Sequence, residues 1–278
     1  LYDAVVHAFT TISTGGFSVK NASIGAYNSL VIDWIVIIFM FLSGINFSLL
    51  FAALRRNLKT VWRSEELRCY TVTTMVASGL IVVDLVVRAG RMLNLDTVTD
   101  AVFQMVTLMT TTGYMTDDYV LWPAFSQIVL IIVMLMGGCA GSTAGGIKHV
   151  RAVLLGKSLV RDLRRILHPR QVTTIKCDGE RVSEQILSGI AVFFFTYILL
   201  LMAGTLIVAW DGVDFITAFG ASLTCLSNVG PGFGTMGPTG NFSALSDVST
   251  VVLTLNMLLG RLEIMPLLLL LFPGLWKK

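Results

Sequence analysis

Residues 7–17 read HAFTTISTGGF, a Thr/Ser/Gly stretch set directly behind an apolar run. One such stretch is an ordinary loop, so the fold turns on whether it recurs. Residues 101–114 read AVFQMVTLMTTTGY, and residues 218–231 read AFGASLTCLSNVGP. Laid without gaps under AVVHAFTTISTGGF (4–17), they align Thr10 with Thr107 and Thr224, Ser13 with Thr110 and Ser227, and Gly16 with Gly113 and Gly230. Internal repeats set architecture before any other signal. In each copy a short apolar run leads into a polar turn that ends in glycine. An outer loop and a long apolar run follow.

The composition places this repeat in a membrane. Of 278 residues, 55% are hydrophobic and 13% charged, about half the roughly 25% charge of a soluble domain. Apolar stretches near 30–54, 70–88, 124–148, 185–209 and 249–272 reach the roughly 20 residues a helix needs to cross a bilayer. The runs Asp96–Met109 and Asp214–Ser227 are too short to cross and suit re-entrant half-helices. Non-helical backbone at that depth is tolerated only when buried in protein or lining a wet cavity. Basic residues gather in Arg55–Arg68 and in Lys148–Arg181, the latter including Arg161, Arg164, Arg165 and Arg170. The opposite connections carry Asp96, Asp100, Asp117, Asp118, Asp211 and Asp214. The positive-inside rule puts the basic linkers and the C-terminus, with Lys277 and Lys278, in the cytosol. Charge flanking membrane helices accounts for these linkers without nucleic acid.

The four cysteines and three histidines are scattered, so no zinc site or disulfide framework is indicated. No nucleophile stands beside a base, which argues against a membrane enzyme. The repeat itself suits a cation. A half-helix aimed inward presents its negative C-terminal end to the membrane centre. The turn behind it can replace an ion's hydration shell with backbone carbonyls. Neutral oxygen ligands suit Na⁺ or K⁺ over transition metals. The candidate ligands are Thr14, Gly15 and Gly16; Thr111, Thr112 and Gly113; and Asn228, Val229 and Gly230. A Na⁺- or H⁺-coupled secondary transporter is the rival reading, since such proteins also use broken helices. They usually hold an ionisable residue at the site, and these turns offer none.

The segments TISTGGFS, TTTGYMT, SNVGPGFG, GGCAGSTAGGIK and LLGRLEIMPLL resemble the Trk/Ktr/HKT superfamily of potassium transporters, in particular its bacterial TrkH/TrkG branch. The likeness runs over essentially the whole chain. It implies an all-α polytopic membrane protein built of helix, pore half-helix, filter and helix units around a pseudo-fourfold pore. Four units are expected in the family, and this sequence matches the last three, as 1–69, 70–184 and 185–278. The resemblance further implies potassium uptake across a bacterial inner membrane, with K⁺ as the transported ion and no organic cofactor in this chain. Lipid, a second copy of the chain and a TrkA-like cytosolic nucleotide-binding subunit are the implied partners, with the linker 148–184 as a docking surface.

GGCAGSTAGGIKHVR, Gly137–Arg151, fails as a phosphate loop, because Ile147 follows Gly146 where a P-loop needs Lys. It fails as a hydrolase elbow too, because Ser142 sits in Ala-Gly-Ser-Thr-Ala. Helix packing through small residues covers Gly137 and Gly138, with Gly44 and Gly260 as counterparts. Gly141, Ser142, Thr143, Gly145 and Gly146 cost too much helix propensity, and a break is predicted there. In the TrkH-like family the matching segment, Gly138–Gly146, is an intramembrane gating loop. Arg261 lies within the predicted last span and needs a partner there. Glu263, two residues on, faces elsewhere on a helix, so the freed carbonyls of the broken segment are the better acceptors. The resemblance carries over an arginine at this position. Asp84 and Arg88 read as an exposed i,i+4 pair, and Asn46 as a cavity or interhelical residue.

Overall fold

The computed structural model describes residues 1–168, 171, 173–270 and 276. The chain runs α1 (Tyr2–Ile12), α2 (Leu30–Ser43), α3 (Phe47–Leu54), α4 (Leu58–Arg63), α5 (Glu65–Val87), α6 (Leu95–Met109), α7 (Ala124–Met136) and α8 (His149–Leu167). A two-stranded antiparallel hairpin, β1 (Lys176–Cys177) and β2 (Glu180–Arg181), leads to α9 (Glu184–Ala209), α10 (Phe215–Ser227), α11 (Asp247–Arg261) and α12 (Met265–Leu270). Arg170, Lys277 and Lys278 lie outside the described residues, as do residues 271 and 272 of the predicted last span.

The half-helices α6 and α10 start within one residue of the sequence reading and end where it put them. The five long spans fare differently. Among the described residues, only α5 and α9 are continuous helices long and apolar enough to cross a membrane; α2 and α3 join them if the bent pair counts as one span. The predicted helix 30–54 turns by 105° between α2 and α3. The predicted helix 124–148 stops at Met136, and 249–272 breaks after Arg261, where Glu263 and Ile264 take positive φ. So the second helix of every repeat ends early, at or beside Gly44, Gly137 or Gly260.

The reason is packing at two of these glycines. A Cβ on Gly44 would overlap the Tyr70 hydroxyl, and one on Gly260 would overlap the Leu226 carbonyl oxygen. Gly137 departs from the reading as a helix-packing residue. It caps α7 at φ +66, and a Cβ there would overlap the Gly145 carbonyl, so it belongs to the loop that follows.

On α9, Val192, Phe195, Leu199, Met202 and Leu206 are exposed, while Phe193, Tyr197, Leu201 and Val208 are buried. The exposed set recurs every three to four residues and forms one apolar stripe, the face a bilayer would cover. On α5 the buried face of Tyr70, Ala77, Ile81 and Leu85 packs into one cluster with Met105 and Leu108 of α6 and Leu130 and Met134 of α7. Lipid is as apolar as leucine, so close packing and internal polar ties, rather than exclusion of water, hold such helices together. Asp84 is one of those ties. It makes the expected pair with Arg88 (3.5 Å), but it is buried rather than exposed, and its Oδ2 accepts from the Ser126 N–H (3.0 Å) and hydroxyl (2.6 Å). Pro123 gives α7 no side-chain cap, so α5 supplies one from across the bundle.

Asn94, Asp214 and Ser246 cap α6, α10 and α11 with their own side chains. The Thr217 hydroxyl, followed by its backbone N–H, holds the Asp214 carboxyl below its ordinary value. A depressed carboxylate contributes above its ordinary titration range, and the contribution disappears as pH falls through it. Asp214→Ala is expected to lower the thermal midpoint of the detergent-solubilised protein at neutral pH, as removal of a cap worth about 1 kcal/mol should. The midpoints of native and variant protein should converge in acid. A constant gap across pH would assign the loss to something other than the carboxylate.

Candidate functional site

The three Thr/Gly turns share one backbone. Behind α1, the Thr14 N–H donates to Thr11 O (3.2 Å) and the Gly15 N–H to Thr10 O (2.8 Å). Behind α6, Thr111 donates to Leu108 O (3.2 Å) and Thr112 to Thr107 O (2.9 Å). Behind α10, Asn228 donates to Cys225 O (3.3 Å) and Val229 to Thr224 O (3.0 Å). These are paired 5→2 and 6→1 bonds, a Schellman ending in every copy. That ending requires a left-handed residue, normally Gly or Asn. Asn228 (φ 59) fits, but Thr14 (φ 51) and Thr111 (φ 56) are β-branched. Such a residue costs of order 1–3 kcal/mol and persists only where its surroundings enforce it, most often at functional sites. Two residues on, Gly16, Gly113 and Gly230 have φ of +65°, +84° and +112°.

The turns pack edge to edge. A Cβ on Gly16 would overlap Thr112 O, and one on Gly113 would overlap Val229 O. A Cβ on Gly230 would meet nothing within 4 Å. Buried tyrosines tie the copies laterally. The Tyr114 hydroxyl bonds the Thr10 hydroxyl (2.6 Å), and the Tyr119 hydroxyl donates to Gly232 O (2.7 Å).

Non-helical backbone from Gly137 to Lys148 lies against the ends of all three half-helices. The Thr143 hydroxyl is within donor reach of Ile12 O (3.2 Å) and Ser43 O (3.3 Å). The Thr143 carbonyl accepts from the Thr14 hydroxyl at 3.0 Å. The Gly145 N–H donates to Thr111 Oγ1 at 2.7 Å, and a Cβ on Gly145 would overlap Ser227 O. The break between α2 and α3 receives the loop's other edge, with Cys139 N–H to Gly44 O (2.9 Å) and Phe47 N–H to Gly141 O (3.1 Å). Asn46 caps α3 through the Ser48 N–H (2.8 Å), so its polar group is spent at that break. Within the loop, Ser142 donates to Cys139 O (2.6 Å), and Gly138 abuts Ala144. The φ values of Gly141 and Gly146, +67° and +75°, shape its two bends.

Arg261 Nη1 donates to Thr143 O at 2.9 Å. Glu263 turns to another segment, pairing with Arg151 (2.6 Å) and Lys148 (3.3 Å) at the loop's exit. A cavity of about 100 Å³ separates loop and α11, lined by Thr143, Lys148, Arg151, Arg261 and Glu263 among others. Three cations face one carboxylate there, which disfavours a resting cation.

The linker charges are less available than their sequence suggested. Arg161 is buried and paired with Asp162 (2.9 Å) and Glu184 (2.7 Å), and Arg165 reaches the same two carboxylates. Arg164 has no salt bridge among the described residues. The hairpin also gathers Cys177, Asp178 and Glu65 within 4.8 Å, but the Lys157 ammonium already sits on Glu65. Sequence reasoning missed Glu66 outright. It is buried at the start of α5 and bonded to both ends of the loop. An acidic residue at the mouth of a span, inside a basic linker, was its only signal.

Half-helices in repeat, each with a left-handed turn and a broken partner helix, define a class of polytopic membrane protein. The chain belongs to the TrkH family, whose model, described as a cation transport protein, matches residues 1–276. It is 38% identical over 280 residues to the Trk system potassium uptake protein TrkH of Salmonella typhimurium, covering 100% of this chain and 57% of that protein. It is 32% identical to TrkG of Escherichia coli over 280 residues, again covering 100% of this chain and 57% of the relative. The crystal structure of the potassium transporter TrkH from Vibrio parahaemolyticus superposes with a TM-score of 0.92 at 35% identity, covering 99% of this chain and 59% of that one. The chain thus spans less than two thirds of the length of these relatives.

The Gly145–Thr111 bond ties loop to half-helix without charge, and its loss is worth about 1 kcal/mol. Thr111→Val, which keeps the shape and removes the acceptor, should lower the thermal midpoint in detergent. Thr111→Ser should restore it. Equal midpoints for all three proteins would remove this bond from the ties that hold the loop.

Proposed function

We propose that this chain forms three quarters of a K⁺ translocation path, with the three Schellman turns as its filter and the loop 138–146 as its gate. The observation that carries the reading is the shared backbone of the turns. Three half-helices bring their negative ends to one loop, each followed by a left-handed residue and a glycine with positive φ. Chemistry between side chains needs no such repetition, whereas a cage of carbonyls around an axis does. Thr14–Gly16, Thr111–Gly113 and Asn228–Gly230 supply neutral oxygens for K⁺. The open face beyond Gly230 fits a further turn from the length that the relatives have in addition. The relatives' names as potassium uptake proteins support K⁺ as the cargo and a transporter rather than an enzyme.

In this reading the loop closes the path below the filter. Arg261 holds the loop by the Thr143 carbonyl and adds a positive charge beneath it. The protein works in a bacterial inner membrane, as a homodimer, with its C-terminus in the cytosol. A TrkA-like nucleotide-binding subunit docks on the linker 148–184. Because Arg161 and Arg165 are engaged in ion pairs, Arg164 and the hairpin are its better contacts.

A Cβ and hydroxyl at residue 113 would displace the Val229 carbonyl. Gly113→Ser in the full-length protein should therefore reduce the K⁺ over Na⁺ uptake ratio in cells lacking other K⁺ uptake systems. Gly230→Ser, strained only by its φ, should reduce it less. Unchanged ratios for both variants would sink the filter assignment. Arg261→Ala should raise resting K⁺ flux per correctly inserted protein. A well-inserted variant with native or lower flux leaves the arginine structural.

A further inference from the structure

We infer that Glu66 is the positioning residue of the loop, a clamp that holds both of its ends on the first turn of α5 and links them to the cytosolic hairpin. The inference rests on the reading of 138–146 as a gate. Ala140, entering the loop, and Val150, just past its exit, are ten residues apart in sequence. Their N–H groups donate to the same atom, Glu66 Oε1, at 2.6 and 3.1 Å. The carboxylate is 6% exposed, so these are charge-assisted bonds largely shielded from water, about twice as strong as neutral ones.

At the tip, the Arg261 guanidinium and the Thr143 hydroxyl bond to backbone carbonyls. At the stem, backbone bonds from Lys148 N–H to Met136 O (2.8 Å) and from His149 N–H to Gly138 O (3.0 Å) bring the two strands together. Glu66 adds the carboxylate that ties this closed stem to α5, and the positive-φ glycines Gly141 and Gly146 lie between its two attachment points. Movement of the tip is therefore a hinge motion with a closed base.

The same turn of α5 faces the cytosolic hairpin. The Glu65 N–H donates to Asp178 Oδ1 at 2.6 Å. Lys157 of α8 joins the Glu65 carboxylate to the Lys176 carbonyl. A displacement of the hairpin pulls on the residue next to the clamp. Helix α8 begins one residue before Val150, so hairpin, α8 and loop meet at residues 65–66. This is a short polar connection from the linker to the gate.

The test uses the full-length protein in cells lacking other K⁺ uptake systems, with flux normalised to inserted protein and the K⁺/Na⁺ ratio read in parallel. Glu66→Ala should raise resting flux several-fold without changing the ratio, because the filter is untouched. Glu66→Gln keeps an acceptor in place without its charge and should give a smaller rise. A merely structural role lowers the inserted amount or the flux and moves neither upward. Asp178→Ala should shift resting flux in the native background and add nothing to Glu66→Ala, as two residues on one connection must. Arg261→Ala serves as the control for the gate itself. If it raises flux and neither Glu66 variant does, the clamp is wrong and the gate stands. If none of the three raises flux, the gate reading falls and takes the clamp with it. Should Glu66→Ala fail to insert, Glu66→Gln decides, native flux overturning the clamp. Additive effects of Asp178→Ala and Glu66→Ala would overturn the link to the hairpin.

Discussion

Backbone at membrane depth has no water to bond, and this constraint organises the whole molecule. Wherever a helix stops inside the slab, its freed carbonyls and N–H groups must find partners in protein. The chain stops helices there repeatedly: at the ends of α1, α6 and α10, between α2 and α3, after α7 and after α11. Each stop is answered by another. The α2–α3 break takes the edges of the loop at Cys139 and Gly141. The tip of the loop takes the ends of the half-helices. The α11 break releases Arg261 toward Thr143 and Glu263 toward Lys148 and Arg151. Broken helices are expensive singly and are satisfied here as a set.

Glycine is what lets the set close. At Gly44, Gly145 and Gly260 the missing side chain admits a hydroxyl or a carbonyl from another element. At Gly16 and Gly113 it admits the backbone of the next turn. The strain left over falls on Thr14 and Thr111, where a hydroxyl was kept at the left-handed position. The two hydroxyls do the same work. Thr14 donates to the Thr143 carbonyl and Thr111 accepts from the Gly145 N–H, so the strained residue is the one that grips the loop.

Much of this was legible in the sequence, for definite reasons. The half-helices could be bounded because a 13-residue apolar run between Asp96 or Asp214 and a Thr/Ser/Gly cluster has few other readings. The break at Gly138–Gly146 could be seen because glycine density overwhelms helix propensity. The breaks at Gly44–Asn46 and Leu262–Ile264 could not, since one glycine in an apolar run is equally consistent with tight packing. Local periodicity also under-read charges whose partners are remote. Asp84 pairs with Arg88 as the spacing suggested but also caps α7, while Arg161 looked like a free cation and is paired with Glu184. Glu66 sat among basic neighbours as an unremarkable flank. Its role depends on two N–H groups 74 and 84 residues away, and no sequence spacing encodes that.

The reach of the Thr143 contacts has a consequence for how the protein is made. This residue joins Ile12, 131 positions earlier, and Arg261, 118 positions later. Helices such as α5 and α9 satisfy their own backbone and can enter the bilayer as they are synthesised. The polar knot at the midplane has no such independence, because its earliest and latest members are separated by most of the chain. Thr14 and Thr111 wait for the loop, and the Thr143 carbonyl waits further for Arg261 on α11. These contacts therefore form as a late closing step, completed only when α11 joins the helices made before it.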